Sequence, residues 1–327
     1  MTGRIVKGLL GCILCVVITV CGLPACGGEV IYASTYYDAF DTVLTVHVPA
    51  GSRTDAEDVA EDVHELVLSL HREFDIYHTY EGVQNLNTLN DRAGDGTPVS
   101  LSEDVLSLLT LGKEMYAASD GKVNICMGAV LSLWHDARAE RTELPSDEAL
   151  LAAAAHISPD SLVIDREAGT AYLTDPLSSV DVGAIAKGYV ADRVLVYAKE
   201  KGVDSLLFDL GGHVLAIGCK PDGSAWTVQV RDPEDGGAYT TLEVTDASVV
   251  TSGVDQRYFE VDGTRYHHLI DPDTLYPAVH HQSTTVIVPL AYTAQADGLS
   301  TAIFLTPRDT GEQLLQAYSG VEAIWIP

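Results

Sequence analysis

The sequence predicts an α+β fold in which helices pack on short-stranded sheets. Apolar residues repeat at helical spacing near the amino end, from Val59 to Phe74. After Lys201, short strand-like runs broken by Gly, Asp and Pro dominate. Strands and helices do not alternate regularly, which excludes a doubly wound sheet with repeated crossovers. The chain has 327 residues, 46% of them hydrophobic, enough to bury a good core.

In chain order, residues 1–25 read as a signal peptide of the lipoprotein type. Arg4 and Lys7 precede an apolar run from Gly8 to Leu23, and Leu23-Pro24-Ala25-Cys26 follows. That ending resembles a bacterial lipobox, although Pro24 is uncommon inside one. Cleavage before Cys26 would leave this cysteine to carry the lipid, palmitate or a similar fatty acyl chain. An uncleaved membrane anchor is the second reading, and the run is shorter than the ~20 residues that cross a bilayer comfortably. Both readings place the body on the extracytoplasmic face of the cell membrane. Residues 26–35 then serve as a tether, and residues 36–327 form one folded domain.

Residues 36–48 read as a strand. A helix follows, with a capping-box pattern at Thr54 and Glu57 and core positions Val59, Val63, Leu66, Val67, Leu70 and Phe74. Residues 80–97, rich in Asn, Asp and Gly, read as a loop before a second helix, Glu103 to Ser119. Strand signals lie at Leu162–Ile164, Ala171–Leu173 and Ser179–Val182, and a helix at Ile185–Lys201. Asp262-Gly263 joins Arg257–Val261 to Arg265–Leu269 as a tight hairpin. Two helices and a strand near Ala323–Ile326 close the chain. Of the six cysteines, only Cys126 and Cys219 lie beyond Cys26. They form no C-x-x-C pattern and read as buried small apolar residues, with a single disulfide left open.

The formal charge is −28, more negative still once Arg4 and Lys7 are removed. Nucleic acid is excluded as a partner, since phosphate backbones need clustered Lys and Arg. A nucleotide site on so acidic a body needs local positive charge from a metal, a lysine or a helix amino terminus. Two segments supply all three. In Asp181-Val-Gly-Ala-Ile-Ala-Lys-Gly188, small residues lead from a strand into a helix whose free N–H groups suit a phosphate, with Lys187 beside them. A close helix-on-sheet packing turn explains the same residues. In Ala296-Asp-Gly-Leu-Ser-Thr-Ala302, read as a helix start, Asp297 and Thr301 are four apart and share a face, with Ser300 alongside. Carboxylate and hydroxyl oxygens favour Mg²⁺ over zinc, while an Asp near the positive end of a helix dipole is the plain alternative. In His267-His268-Leu269-Ile270-Asp271-Pro272, alternation puts His268 and Ile270 on one face, and a histidine beside an Asp at a strand end reads as an acid–base or substrate-holding pair, with a solvent-facing His pair as the plain alternative.

Five pieces occur in one order across the body: Asp181-Val-Gly-Ala-Ile-Ala-Lys-Gly-Tyr189, Asp209-Leu-Gly-Gly212, Thr251-Ser-Gly253, His268-Leu-Ile-Asp-Pro272 and Ala296-Asp-Gly-Leu-Ser-Thr-Ala302. From about Tyr36 to the end the chain resembles the ApbE family, bacterial FAD:protein FMN transferases. The resemblance implies a mixed-sheet, T-fold-related architecture. It also implies Mg²⁺ held by the Ala184 carbonyl, Asp297 and Thr301, with Ser300 near. FAD would be contacted by Phe40, Tyr77, Lys122, Val123, Asn124, Asp181, Lys187, His268 and Ile270. His268 would be base or proton relay, oriented by Asp271. The implied reaction moves FMN from FAD to a Ser or Thr hydroxyl of an exported or membrane flavoprotein subunit, releasing AMP. A flavin-binding or FAD-hydrolysing lipoprotein without transferase activity is the alternative, and a solute-binding lipoprotein is disfavoured by the absence of two α/β lobes. Three positions depart from the family pattern: Asp41 for a Gly in Met-Gly-Thr, His213 for an Asn, and Leu275 for a Gly.

Overall fold

The computed structural model describes residues 28–140 and 143–327, so the expected signal peptide and Cys26 lie outside the described residues. Among the described residues no helix is long and apolar enough to cross a membrane. Strands β1 (Val30–Ala39) and β2 (Thr42–Ala50) form a hairpin, not the single strand expected at 36–48. Strand β1 begins at Val30, inside the segment read as a tether. The turn residues Phe40 and Asp41 both have left-handed backbone, φ 54° and 50°. Such turns favour Asn-Gly, so Phe-Asp gave no turn signal.

Helix α1 (Arg53–Phe74) buries Ala56, Ala60, Val63, Val67, Leu70 and Phe74. Its cap is Ser52, which accepts from Asp55 N, and the Thr54/Glu57 box does not form. The loop expected at 80–97 contains helix α2 (Leu86–Asp91), capped by the fully buried Asn85. Asn85 also donates to the carbonyls of Arg72 and His78, so its amide organises the turn rather than meeting solvent. Strand β3 (Val99–Ser100) and helix α3 (Glu103–Ala118) follow. Helices α4 (Gly128–Glu140) and α5 (Asp147–Ala154) come next, neither of them anticipated. Strands β4 (Leu162–Asp165) and β5 (Thr170–Leu173) complete a small sheet ordered β3-β5-β4. Residues 179–182, expected as a strand, contribute only a bridge from Ser179 to Met127.

Helix α6 (Ala186–Lys201) leads to β6 (Leu206–Leu210), β7 (His213–Ile217), β8 (Trp226–Arg231), β9 (Ala238–Val244) and β10 (Ala247–Gly253). The hairpin expected around Asp262-Gly263 is β11 (Tyr258–Val261) with β12 (Thr264–His267). Strand β13 (Ser283–Pro289), helices α7 (Thr293–Phe304) and α8 (Arg308–Leu315) and strand β14 (Glu322–Ile326) close the chain.

Seven strands make the main sheet, ordered β1-β2-β6-β7-β10-β13-β14 and antiparallel at every pairing. Helices α1, α6 and α7 pack on this sheet over the largest core. The β8–β9 ribbon covers Ala216 and Val249 through Trp226, Val228 and Val244. A second core gathers α4 and the β11–β12 hairpin around Trp134, Phe259, Ile270 and Leu275. Helices segregate from an antiparallel sheet, the α+β arrangement the sequence predicted. Both cysteines among the described residues are free. Cys126 is buried, and burial pushes its thiol up to about 11; Cys219 is only half-buried, contrary to expectation.

Candidate active site

Two glycines on facing helices permit close packing, Gly188 where α6 crosses α7 and Gly298 where α7 meets α3. A Cβ on Gly188 would lie 2.6 Å from the Ala294 carbonyl, and one on Gly298 would lie 2.9 Å from Met115 Cε. The small residues around Lys187 therefore serve close helix packing, and the packing delivers Asp297. Asp297 is not at a helix start: it lies a full turn inside α7, buried, and points its carboxylate at the start of α6. Its Oδ2 accepts from Lys187 N and Lys187 Nζ, both at 3.2 Å, and the Gly188 N–H is directed at the same carboxylate. Helix α6 has no side-chain cap of its own, so Asp297 caps it from across the interface. Those N–H groups are consequently taken by Asp297, not left free for phosphate as the sequence suggested. Burial pushes the Asp297 carboxyl up, against the pull of Lys187.

Because the Gly188 N–H turns to Asp297, the Ala184 carbonyl accepts no backbone hydrogen bond outside regular helix and strand pairing among the described residues. On the next turn of α7 the Ser300 hydroxyl donates to the Asp297 carbonyl at 2.9 Å and lies 2.8 Å from Ser252 Oγ, which is 3.4 Å from Thr301 Oγ1. The donor set of carboxylate, hydroxyls and a free carbonyl is hard oxygen throughout, and it fits Mg²⁺. Ser300 is fully buried with its proton committed to its own helix, so it supports this set from behind.

A second constellation lines a cleft of ≈ 390 Å³ bordered by Asp41, His135, Arg138, Gln256, Arg257 and Tyr258. Tyr77, 54% exposed, stacks on His135 with ring centroids 5.2 Å apart. The charges of Asp181, Arg138 and Arg257 act on Tyr77, and burial raises the Asp181 carboxyl while the Gly183 N–H opposes it at 2.8 Å. Phe40 packs edge-on to His71, below the β1–β2 turn.

His268 joins the two constellations, since the charges of both Arg257 and Lys187 act on it. Its Nδ1 lies 3.2 Å from the Arg257 carbonyl, which can only accept, so Nδ1 carries the proton and Nε2 the lone pair. Burial, reinforced by Arg257, pushes it down to about 3, so it is neutral. Asp271 does not orient it. Asp271 instead accepts from Lys122 Nζ at 2.7 Å, and the same ammonium reaches Asp273 at 2.8 Å. A salt bridge satisfies that carboxylate better than a neutral imidazole would, and it ties the 271–273 loop to residue 122. Val123 is core, and Asn124 spends its side chain on the Ile157 carbonyl and Cys126 N. Ile270 is buried beside Trp134. None of these last three presents a side chain to the cleft.

Sequence reasoning gave no role to His135, Arg138, Arg257 or Ser252. The spacing of His135 and Arg138, three apart on one helix face, is the signal that was available. His213, the departure from Asn, is fully buried at the start of β7 with neither ring nitrogen bonded among the described residues, and burial beside Lys187 pushes it down to about 3.

The ApbE family profile matches residues 40–325. This chain belongs to the ApbE family. The FAD:protein FMN transferase of Treponema pallidum (strain Nichols) is 32% identical over 337 residues, covering 98% of this chain and 90% of its own. That of Klebsiella pneumoniae (strain 342) is 30% identical over 264 residues, covering 78% and 81%. Among solved structures, the ApbE protein of Thermotoga maritima superposes with a TM-score of 0.80 at 26% identity, covering 90% of this chain and 94% of its own. The apo flavinyl transferase ApbE of Pseudomonas stutzeri superposes with a TM-score of 0.78 at 28% identity, covering 92% of each.

Proposed function

We propose that this protein transfers FMN from FAD to a Ser or Thr hydroxyl of an acceptor flavoprotein and releases AMP. The observation that carries the reading is the oxygen-only set of the buried Asp297 and Thr301 side chains with the free Ala184 carbonyl, joined through His268 to the cleft beside the Tyr77–His135 stack. Both named relatives in Treponema and Klebsiella are FAD:protein FMN transferases, which supports the same reading.

Asp297, Thr301 and the Ala184 carbonyl would hold Mg²⁺, which when bound neutralises charge on the diphosphate. Lys187 sits beside that set and offers its ammonium to a phosphate oxygen once Asp297 is otherwise engaged. Tyr77 and Asp181 receive the flavin. In the transfer, the acceptor hydroxyl oxygen bonds to the FMN-side phosphorus as the bond from that phosphorus to the bridging oxygen of AMP breaks. The hydroxyl proton passes to His268 Nε2. Burial, reinforced by Arg257, holds His268 neutral, and an anionic phosphate beside it opposes both and raises its basicity as substrate arrives.

The body would be exported and held on the extracytoplasmic face by lipid on Cys26, where exported or membrane acceptors meet it. In-gel fluorescence of an acceptor domain, incubated with this protein, FAD and Mg²⁺ and then denatured, tests the reading. A covalently fluorescent acceptor band that EDTA removes is expected. An acceptor that stays dark while FAD remains bound would overturn it.

A further inference from the structure

Among 47 carboxylates and only 19 Lys and Arg, an unpaired cation is expensive to arrange and therefore informative. Arg138 is half-buried, yet it makes no hydrogen bond or ion pair among the described residues. Residues 1–27 and 141–142 contain no carboxylate side chain, so no Asp or Glu lies outside the described residues. Its neighbour Arg257 lines the same cleft, and among the described residues its guanidinium has one hydrogen-bond partner, the Phe40 carbonyl at 3.3 Å from Nη2. Two guanidinium groups thus converge without a direct ion pair among the described residues, and burial together with their mutual repulsion lowers the Arg138 pKa against the pull of Asp181 and Asp41.

The fold holds Arg138 there deliberately. Val130, Trp134 and Ala137 bury one face of α4, and the Trp134 Nε1–H donates to the Leu275 carbonyl at 2.9 Å. That anchoring turns His135, Arg138 and Ala139 to the cleft. Among the described residues Asp41 is the one carboxylate lining the cleft, and it forms no ion pair with either guanidinium. Beside the pair lies the stacked Tyr77–His135 ledge, a surface for an aromatic ring system.

We propose that Arg138 and Arg257 form an anion-binding subsite that holds the phosphate chain of the flavin dinucleotide beside the ring seated on Tyr77 and His135. This rests on the flavin-transferase reading and adds to it two residues that recognise phosphate by paired, forked N–H donors. Arg138 is the cleaner probe because Arg257 also braces the β1–β2 turn.

The test is equilibrium binding of FAD and of riboflavin, which lacks phosphate, to the full chain and its Arg138→Gln and Arg138→Lys variants, followed by flavin fluorescence without added metal. The geometry predicts that Arg138→Gln weakens FAD binding about ten- to a hundredfold. Riboflavin affinity should stay within about twofold, and Arg138→Lys should recover part of the loss. Equal loss for both ligands would assign Arg138 to the ring, and unchanged FAD binding with a raised KM for the acceptor would assign it to acceptor docking. Either result overturns the subsite. A native chain that binds neither FAD nor riboflavin would overturn the flavin reading itself, with the subsite falling with it.

Discussion

Asp297 carries two duties, capping α6 and supplying the one carboxylate of the oxygen set, and substitutions separate them. Asp297→Ala removes the acceptor of the Lys187 N–H and of its ammonium, both at 3.2 Å. Breaking one partner of a buried ion pair costs about 3–5 kcal/mol. The Lys187 side chain keeps 27% exposure and can turn to water, so the lower end applies, about 3 kcal/mol. Asp297→Asn keeps a neutral acceptor at the cap and loses the charge, for about 1 kcal/mol. For a chain of this size each kcal/mol moves the melting temperature by about 2 °C, giving losses of about 6 °C and 2 °C. Both variants should lose at least about a hundredfold in transfer rate, equivalent to ~2.7 kcal/mol. The assay pairs a thermal melt with initial rates of acceptor labelling. Asp297→Asn that melts near the native chain and still transfers FMN at the native rate would refute the metal assignment. Asp297→Ala that melts like the native chain would refute the cap.

Three other positions give independent checks. His213 is neutral in the fold at about 3, below the ~6.5 of an unfolded histidine, so its contribution is complete above ~6.5 and is lost as pH falls toward 3. Between pH 7 and 5, denaturant unfolding should show the native chain losing about 2 kcal/mol more than His213→Asn, and parallel losses would contradict the burial argument. Asp41→Gly relieves a left-handed turn residue and removes the carboxylate lining the cleft, so stability should rise by about 1 kcal/mol and FAD affinity by about two- to fivefold, read by melts and titration. Leu275 also has left-handed backbone, φ 65°, but its buried side chain packs on the Trp134 cluster. Relief of about 1–2 kcal/mol is outweighed by about 3 kcal/mol of lost burial, so Leu275→Gly should destabilise by about 1–2 kcal/mol in urea.

Where a local signal and a tertiary demand agreed, the fold was readable from sequence. The spacing of Val63, Val67, Leu70 and Phe74 and the Asp262-Gly263 turn are such cases. It was unreadable where one residue type stood in for another. Phe40-Asp41 bends the chain without a glycine because the β1–β2 pairing on either side imposes the turn. Asn85 sits in a polar stretch yet is wholly buried, its amide bonding two distant carbonyls. The metal-type residues were identifiable as types, but the capping of α6 by a carboxylate of α7 is a contact across 110 residues that no local spacing encodes. Asp271 shows the converse: adjacency to His268 in sequence suggested a pair, and the stronger charge of Lys122, 149 residues away, claimed the carboxylate.

The most direct test of the account measures two products of one reaction, the intact mass of the acceptor and the AMP released, with FAD and Mg²⁺ present. The account predicts one AMP for each FMN added to the acceptor, and neither product with EDTA. AMP released without any gain in acceptor mass, across acceptors bearing exposed Ser and Thr, would show a hydrolase and contradict the transfer.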